Sequence, residues 1–149
     1  LSDRPGYSPE YHDPAFMKLV EDCCCDLVGK DRVKFDYESW STGSSDFGDV
    51  TCVMPGVQFF AAGAIGTGHG IDYYVKDPNR MCVNAVKAQL FVADALLRDD
   101  AAAARKIIAD YKPQYPSIKA YLDAINELFL DKDAVQYDEH GNATVDFQN

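Results

Sequence analysis

The sequence has few basic residues and no long hydrophobic run. Its 149 residues contain 14 Lys and Arg against 24 Asp and Glu, a formal net charge of −10. Nucleic acids and anionic membrane surfaces are bound through clusters of Lys and Arg, so neither is predicted as a partner. No apolar run approaches the roughly 20 residues of a membrane-spanning helix. With 47% hydrophobic residues, the sequence indicates one globular domain.

An initiating Met and a signal-peptide pattern are also missing. The sequence starts Leu1-Ser-Asp-Arg-Pro-Gly, and we expect it to begin inside a longer chain. The five cysteines are odd in number and three of them, 23–25, are consecutive. This usage favours a reducing compartment over a disulfide framework, so we predict a cytoplasmic protein. Consecutive helical residues point about 100° apart, so these three cysteines are interpreted as small apolar helix residues and not as metal ligands.

Common catalytic motifs are absent as well. The sequence has no Gly-x-Ser-x-Gly motif, no phosphate-binding P-loop and no dinucleotide fingerprint. Ser44 and Ser45 are interpreted as turn and helix-cap residues before Asp46. Of the three histidines, His12 and His140 are interpreted as surface residues. Nucleophilic catalysis by serine is therefore not predicted.

The hydrophobic pattern predicts helices and strands in an α/β order, with a helical extension and a terminal hairpin. Asp13 and Pro14 form a cap-and-proline start for a first helix that Gly29 ends. Asp46 is predicted to cap a short helix that ends near Met54. The other predicted elements are strands at 33–37, 57–61 and 71–75, helices at 78–98, 100–111 and 117–129, and a hairpin at 134–147. The helix at 78–98 is apolar on more than one face, so we expect it to be largely buried.

Two loops of small residues, 41–46 and 63–70, flank the apolar run at 57–62, which we predict to be a central strand buried on both faces. Such loops let the backbone approach a ligand closely. In the second loop, Gly68 and Gly70 leave the imidazole of His69 uncrowded. By residue type His69 is the best candidate metal ligand, with Asp46 and Asp72 as candidate neighbours. The alternative is a loop histidine that is hydrogen-bonded to backbone.

Part of the sequence resembles a known family. Ser41-Thr-Gly-Ser-Ser-Asp-Phe-Gly-Asp-Val50, Pro55 and Gly66-Thr-Gly-His-Gly70 resemble the C-terminal part of zinc-dependent metallopeptidases and amidohydrolases. That family includes carboxypeptidase-, aminoacylase- and dipeptidase-like enzymes, and the nearest branch is similar to aminobenzoyl-glutamate hydrolases and amino-acid amidohydrolases. The segment that begins Pro5-Gly-Tyr-Ser-Pro and the Asp77-Pro78 helix start are also similar. The resemblance covers roughly residues 5–112.

The resemblance implies the C-terminal part of a zinc-peptidase-like catalytic domain, in which helices flank a central sheet that carries two metal ions. It implies that His69 is a metal ligand, and that Asp46, Ser45, Gly68 and Gly70 position substrate or support the site. Residues 1–12 would end the crossing from a lid domain, 13–130 would belong to the catalytic domain, and 131–149 would form the tail. The family's other metal ligands and its general-base Glu have no match in this sequence.

The first expected function is part of a metal-dependent hydrolase that cleaves the amide bond of an N-acyl amino acid or dipeptide-like small molecule. One His cannot hold a two-metal site, so we expect residues 1–149 alone to bind zinc weakly and to be inactive, and we assign no catalytic residue. The alternative is a non-catalytic α/β domain that serves binding or assembly. A third hypothesis is a homologue of the family that has lost its metal ligands. Without an N-terminal half to cover it, an apolar face would be exposed, so we expect self-association.

Overall fold

The computed structural model describes residues 2–3, 5–35, 37 and 45–146, which form a mixture of helices and small sheets. The helices are α1 (Pro14–Val28), α2 (Phe47–Thr51), α3 (Asn84–Asp110) and α4 (Ile118–Glu127), with a 3-10 turn at Lys30–Arg32 and a π-helical turn at Asn79–Val83. The strands are β1 (Ser2–Asp3), β2 (Ala64–Ile65), β3 (Tyr74–Val75), β4 (Leu130–Asp131), β5 (Val135–Tyr137) and β6 (Ala143–Val145). The coarse prediction that the fold mixes helices with strands is confirmed.

Helix α1 begins and ends where the sequence predicts. The carboxylate of Asp13 accepts a 2.8 Å hydrogen bond from the amide of Phe16, and Pro14 takes the first helical position, where no backbone N–H is needed. Gly29 ends the helix at φ +89°, which glycine adopts readily because it has no Cβ. Local chemistry therefore fixes both ends of this helix.

The main core lies between α1 and α3. Val20 and Cys23 of α1 are buried against Val92 of α3. The apolar residues packed around these three are only partly buried: Phe16, Leu19, Cys24, Phe35, Val57, Phe59, Ala95 and Leu96. The core is therefore narrow, and it covers only one side of α3.

The described strands form three separate two-stranded antiparallel sheets, which pair β1 with β4, β2 with β3 and β5 with β6. No central sheet is formed within the described ranges. The predicted strand at 57–61 is wrong, because these residues are not in a strand and the side chain of Phe60 is 85% exposed. A short apolar run predicts a strand only where a neighbouring strand bonds to its backbone, and this run has no such neighbour in the described part of the chain.

The predicted strand at 33–37 is also wrong, since residues 33–35 and 37 are not in a strand. Phe35 packs against the α1–α3 core, while the hydroxyl of Tyr37 donates a 2.7 Å hydrogen bond to Glu21 of α1. The alternation of apolar and polar residues here reflects a half-buried segment that lies on a helix. The predicted extended stretch at 71–75 is confirmed only at its end, in β3.

Helix α3 is kinked at the boundary that the sequence predicts. Backbone angles are non-helical from Arg98 to Ala101, and Asp99, Asp100 and Ala101 have positive φ. The predicted helices at 78–98 and 100–111 are thus two segments joined at this kink. The predicted cap is confirmed, because the carboxylate of Asp77 accepts a 3.0 Å hydrogen bond from the amide of Arg80, but the first turn is π-helical and α3 begins only at Asn84.

The expected burial of the first α3 segment is wrong. Ala88 and Val92 are buried, but Leu90 and Leu97 are 63% and 69% exposed. The described residues cover one apolar face of this segment, the one toward α1, and leave a second face in solvent.

The C-terminal elements follow the sequence. Ser117 caps α4 by accepting a 3.1 Å hydrogen bond from the amide of Ala120. Strands β5 and β6 confirm the tail hairpin, while Phe147 at the end of its predicted range lies outside the described residues. In the turn, Asp138 accepts hydrogen bonds from the amides of His140 (2.9 Å) and Asn142 (2.8 Å). Within the described ranges, no helix combines the length and apolar character needed to cross a bilayer.

Candidate functional site

His69 lies in the loop that joins β2 to β3. Its side chain is exposed and its backbone has φ +64°, a left-handed conformation that is uncommon for residues other than glycine. A left-handed residue reverses the chain sharply, so the loop is tight at this point. The sequence expectation of an accessible imidazole is confirmed.

Asp72 braces this loop. Its Oδ2 accepts hydrogen bonds from the amide (3.1 Å) and hydroxyl (3.3 Å) of Thr67, and the amide of Gly70 donates to the carbonyl of Thr67 at 2.7 Å. A Cβ added to Gly70 would lie 2.4 Å from Oδ1 of Asp72, whereas one added to Gly68 would meet nothing within 4 Å. Gly70 is therefore required for close packing of the loop, and Gly68 is not.

Of the side chains that the sequence suggests for a metal, this loop holds His69 and Asp72, and the carboxylate of Asp72 is bonded to Thr67. Among the described residues, no three His, Cys, Asp or Glu side chains are grouped so that they could hold a metal ion, and no hydrogen bond or ion pair joins His69 to Asp46. A zinc site needs three or four convergent ligands. The described residues therefore do not form a complete zinc site around His69.

The start of α2 differs from the prediction in one detail. Asp46 occupies the cap position, but its side chain makes no capping hydrogen bond, and the hydroxyl of Ser45 instead accepts one from the amide of Phe47 at 3.1 Å. A capping side chain works best from an extended backbone, and Asp46 already has helical angles (φ −63°, ψ −11°). Asp46 is exposed, and the preceding residues 41–44 of the predicted loop lie outside the described residues.

Ser45 belongs to a polar cluster that the sequence did not indicate. Its hydroxyl donates a 2.8 Å hydrogen bond to Oε1 of Glu10, and Oε2 of Glu10 lies 3.0 Å from Nε2 of His12. With its amide nitrogen turned toward the carboxylate, Gln58 donates to both oxygens of Glu10 at 2.9 and 3.2 Å. We call Glu10, His12, Ser45 and Gln58 the Glu10 cluster.

The Glu10 cluster is positioned by contacts between residues 8–11 and α2. The amide of Ser8 donates to Asp49 at 2.8 Å, and the amide of Tyr11 donates to the hydroxyl of Thr51 at 3.1 Å. A Cβ on Gly48 would lie 1.7 Å from the carbonyl oxygen of Ser8, so only glycine allows this approach. Two segments far apart in sequence are thereby held side by side.

The Glu10 cluster is a set of intramolecular hydrogen bonds centred on one carboxylate. A carboxylate that already accepts hydrogen bonds from Ser45 and Gln58 is a poor base for the serine hydroxyl, and His12 contacts Glu10 and not Ser45. The cluster therefore lacks the order of a nucleophilic triad. From the sequence, His12 is interpreted only as a surface residue; the signal that links it to Glu10 is their spacing of two, because alternate residues of an extended segment share a side.

The cysteines and His140 belong neither to the His69 loop nor to the Glu10 cluster. Cys23 and Cys24 lie on α1, where burial raises the pKa of both thiols. Cys82 is exposed in the π-helical turn, and all five cysteines are free thiols. His140 is exposed in the tail turn, as predicted. None of these groups is brought to His69 or to the Glu10 cluster by a hydrogen bond.

No protein-family model, no curated protein and no solved structure matches this chain.

Proposed function

We propose that the chain is part of a metal-dependent hydrolase that cleaves the amide bond of an N-acyl amino acid or a dipeptide-like small molecule. One observation carries the proposal: the Gly66-Thr-Gly-His-Gly70 motif forms a tight hairpin loop with an exposed imidazole at His69. A metal ligand needs an accessible imidazole on a well-defined backbone. The braced loop supplies both, which supports His69 in this role.

In this proposal, a divalent metal such as zinc would polarise the amide carbonyl. His69 would provide one ligand, and further ligands and a general base would come from residues outside the described ranges or outside this sequence. Because the described residues do not complete a metal site, the proposal assigns no catalytic residue within them. The zinc-peptidase-like domain, the cytoplasmic location and the division at residues 12/13 and 130/131 belong to this same proposal.

Ser45 and Asp46 are proposed to position the substrate. Ser45 is held by Glu10 and by the amide of Phe47, so its hydroxyl has a fixed orientation. Asp46 is exposed beside it and available to a cationic or amide N–H group. Of the two loop glycines, Gly70 is proposed to shape the His69 loop and Gly68 to leave space beside the imidazole.

A second candidate is a non-catalytic α/β domain that serves binding or assembly. The observation that favours it is the number of large apolar side chains left in solvent, including Phe60, Ile71, Leu90 and Leu97. Where such side chains share a face, as Leu90 and Leu97 do on α3, they mark an interaction surface. This candidate requires no metal at His69.

The deciding experiment measures bound zinc per chain and hydrolysis of N-acyl amino acids in the protein made from its complete reading frame. His69→Ala is expected to lose at least one ion per chain and the hydrolytic activity, while the exposed-histidine control His140→Ala keeps both. Residues 1–149 alone are expected to bind zinc weakly. If His69→Ala keeps the same number of zinc ions per chain and the same activity, the hydrolase proposal is wrong. It is also wrong if the protein without substitutions has neither zinc nor activity.

A further inference from the structure

The chain exposes more surface than a compact monomer of its mass. Its solvent-accessible area is 11270 Å². A compact monomer of 16.5 kDa exposes roughly 7,500 Å², so this chain exposes about one and a half times that area. A permanent interface commonly buries about 2,000–5,000 Å² in total. Such an interface buries about 1,000–2,500 Å² on each partner, so the excess area of this chain is more than enough to supply one.

An exposed apolar seam starts at Val83, in the π-helical turn, and continues along the first segment of α3. Its members follow one another at spacings of three and four residues: Val83, Val86, Leu90, Ala93 and Leu97. All five are exposed, and Leu90 and Leu97 remain more than half exposed. We call these five residues the α3 seam.

The α3 seam lies on the side of the helix away from the core. At 100° per residue, its four members within α3 fall within about 60° of one another and roughly opposite Ala88 and Val92, which are buried toward α1. Alternating spacings of three and four are the a and d positions of a heptad, which pack a helix against another helix. This helix is thus patterned for a partner helix on its uncovered side.

The residues that flank the seam are self-complementary. In heptad terms Lys87 and Asp94 occupy the same flank, seven residues apart, and both are exposed. The opposite flank carries Gln89 and Leu96, which have no charge. In an antiparallel helix pair each flank faces the same flank of the partner, so Lys87 of each copy meets Asp94 of the other. A parallel pair would place this charged flank against an uncharged one.

We propose that the α3 seam binds the α3 seam of a second copy of this chain in an antiparallel pair. Leu90 of each copy lies opposite Ala93 of the other, and Val86 lies opposite Leu97. The small side chain of Ala93 leaves room for Leu90 at the centre. Two symmetric ion pairs between Lys87 and Asp94 select this register, because flanking charges fix the orientation of helix pairs. Asp94 binds Arg98 of its own chain through Oδ2, and in the pair its Oδ1 would meet Lys87 of the second copy.

The proposal is independent of the hydrolase function, since neither His69 nor the Glu10 cluster takes part in it. The charge pattern of Lys87 and Asp94 favours a second copy of this chain as the partner. If the seam bound a helix of a different protein, Lys87 and Asp94 of this chain would not need to have opposite charges on the same flank.

The first test is sedimentation equilibrium of the protein at concentrations up to about 100 µM, where mass action favours the pair. Leu90→Glu, at the seam centre, is expected to raise the dimer dissociation constant at least about tenfold, because it places a charge in an apolar contact. The matched control is Ile108→Glu, which changes an equally exposed apolar residue (65%) beyond the kink and should leave association unchanged. A monomer throughout the range, or equal weakening by both variants, overturns the proposal.

The second test is a charge exchange that checks the antiparallel register. Lys87→Glu and Asp94→Lys are each expected to weaken association by about fivefold, and the double variant to restore it, since each exposed ion pair contributes modestly. Far-UV circular dichroism checks that each variant keeps its helices. Restoration supports a symmetric pair of α3 helices. Additive loss in the double variant overturns the proposed register.

Discussion

The hydroxyl of Ser45 donates a 2.8 Å hydrogen bond to the carboxylate of Glu10, which lies 35 residues earlier in the sequence. The same carboxylate is bound by His12 and, through its amide nitrogen, by Gln58. Three separate stretches of chain therefore converge on one side chain. This convergence fixes the start of α2, where Ser45 and Asp46 are proposed to position a substrate.

Removing the Glu10 carboxylate is expected to destabilise the fold modestly. Glu10→Ala leaves Ser45, His12 and Gln58 without their shared acceptor, and we expect a loss of about 1 kcal/mol in the free energy of unfolding, since the group is partly exposed. Urea denaturation measures the loss. The control Glu139→Ala removes a carboxylate from the exposed tail turn and should be neutral. Equal stability of the two variants would show that the cluster contributes nothing to folding.

Because Gly48 lies against the backbone of Ser8, replacing this glycine is expected to lower the stability of the fold strongly. Gly48→Ala places a methyl group against the Ser8 carbonyl, so residues 8–11 must move away from α2, at a cost of about 3 kcal/mol. The control Gly68→Ala adds the same methyl where nothing lies within 4 Å, and is expected to change stability by less than about 0.5 kcal/mol. Thermal and urea unfolding of the pair provide the measurement. A stable Gly48→Ala protein contradicts the close approach.

The hydrogen bond from the hydroxyl of Tyr111 to the carbonyl of Thr51 joins the end of α3 to α2. Both residues are buried, so Tyr111→Phe leaves a buried carbonyl without this donor. We expect a loss of about 1–2 kcal/mol in unfolding free energy. Tyr137→Phe, at a 72% exposed position, is the control and should leave the free energy of unfolding unchanged. The expectation fails if both substitutions have the same effect.

The tail hairpin is expected to weaken in acid. The side chain of Asn142, followed by the amides of the turn, lowers the pKa of Asp138 below its ordinary value of 3.8. A carboxyl whose pKa is lower in the folded state stabilises that state at pH values above its ordinary value, and this contribution disappears as the pH falls through the folded pKa. NMR shifts of the His140 and Asn142 amides should therefore report the loss below pH 3.8. In Asp138→Asn this titration should vanish; if it persists, another group is responsible.

Short-range chemistry made several elements predictable from sequence. Helix α1 begins at Asp13 and Pro14 and ends at Gly29. Helix α4 begins after Ser117, and the turn around Asp138 closes the β5–β6 hairpin. Each feature depends on side chains within four residues of the backbone groups that they satisfy. The exposure of His69 was predictable for the same reason, because its glycine neighbours are local.

What the sequence determined by itself is therefore the two ends of α1, the start of α4, the tail hairpin and the accessible imidazole of His69. The tertiary structure alone decided that 57–61 is not a strand, that one face of α3 remains in solvent, and that Glu10 joins Ser45 to His12 and Gln58. Strand formation and helix burial depend on what lies beside a segment, and the partners of Glu10 lie up to 48 residues away in sequence. Periodicity states which face of a segment is apolar, but only the packed chain determines whether anything covers it.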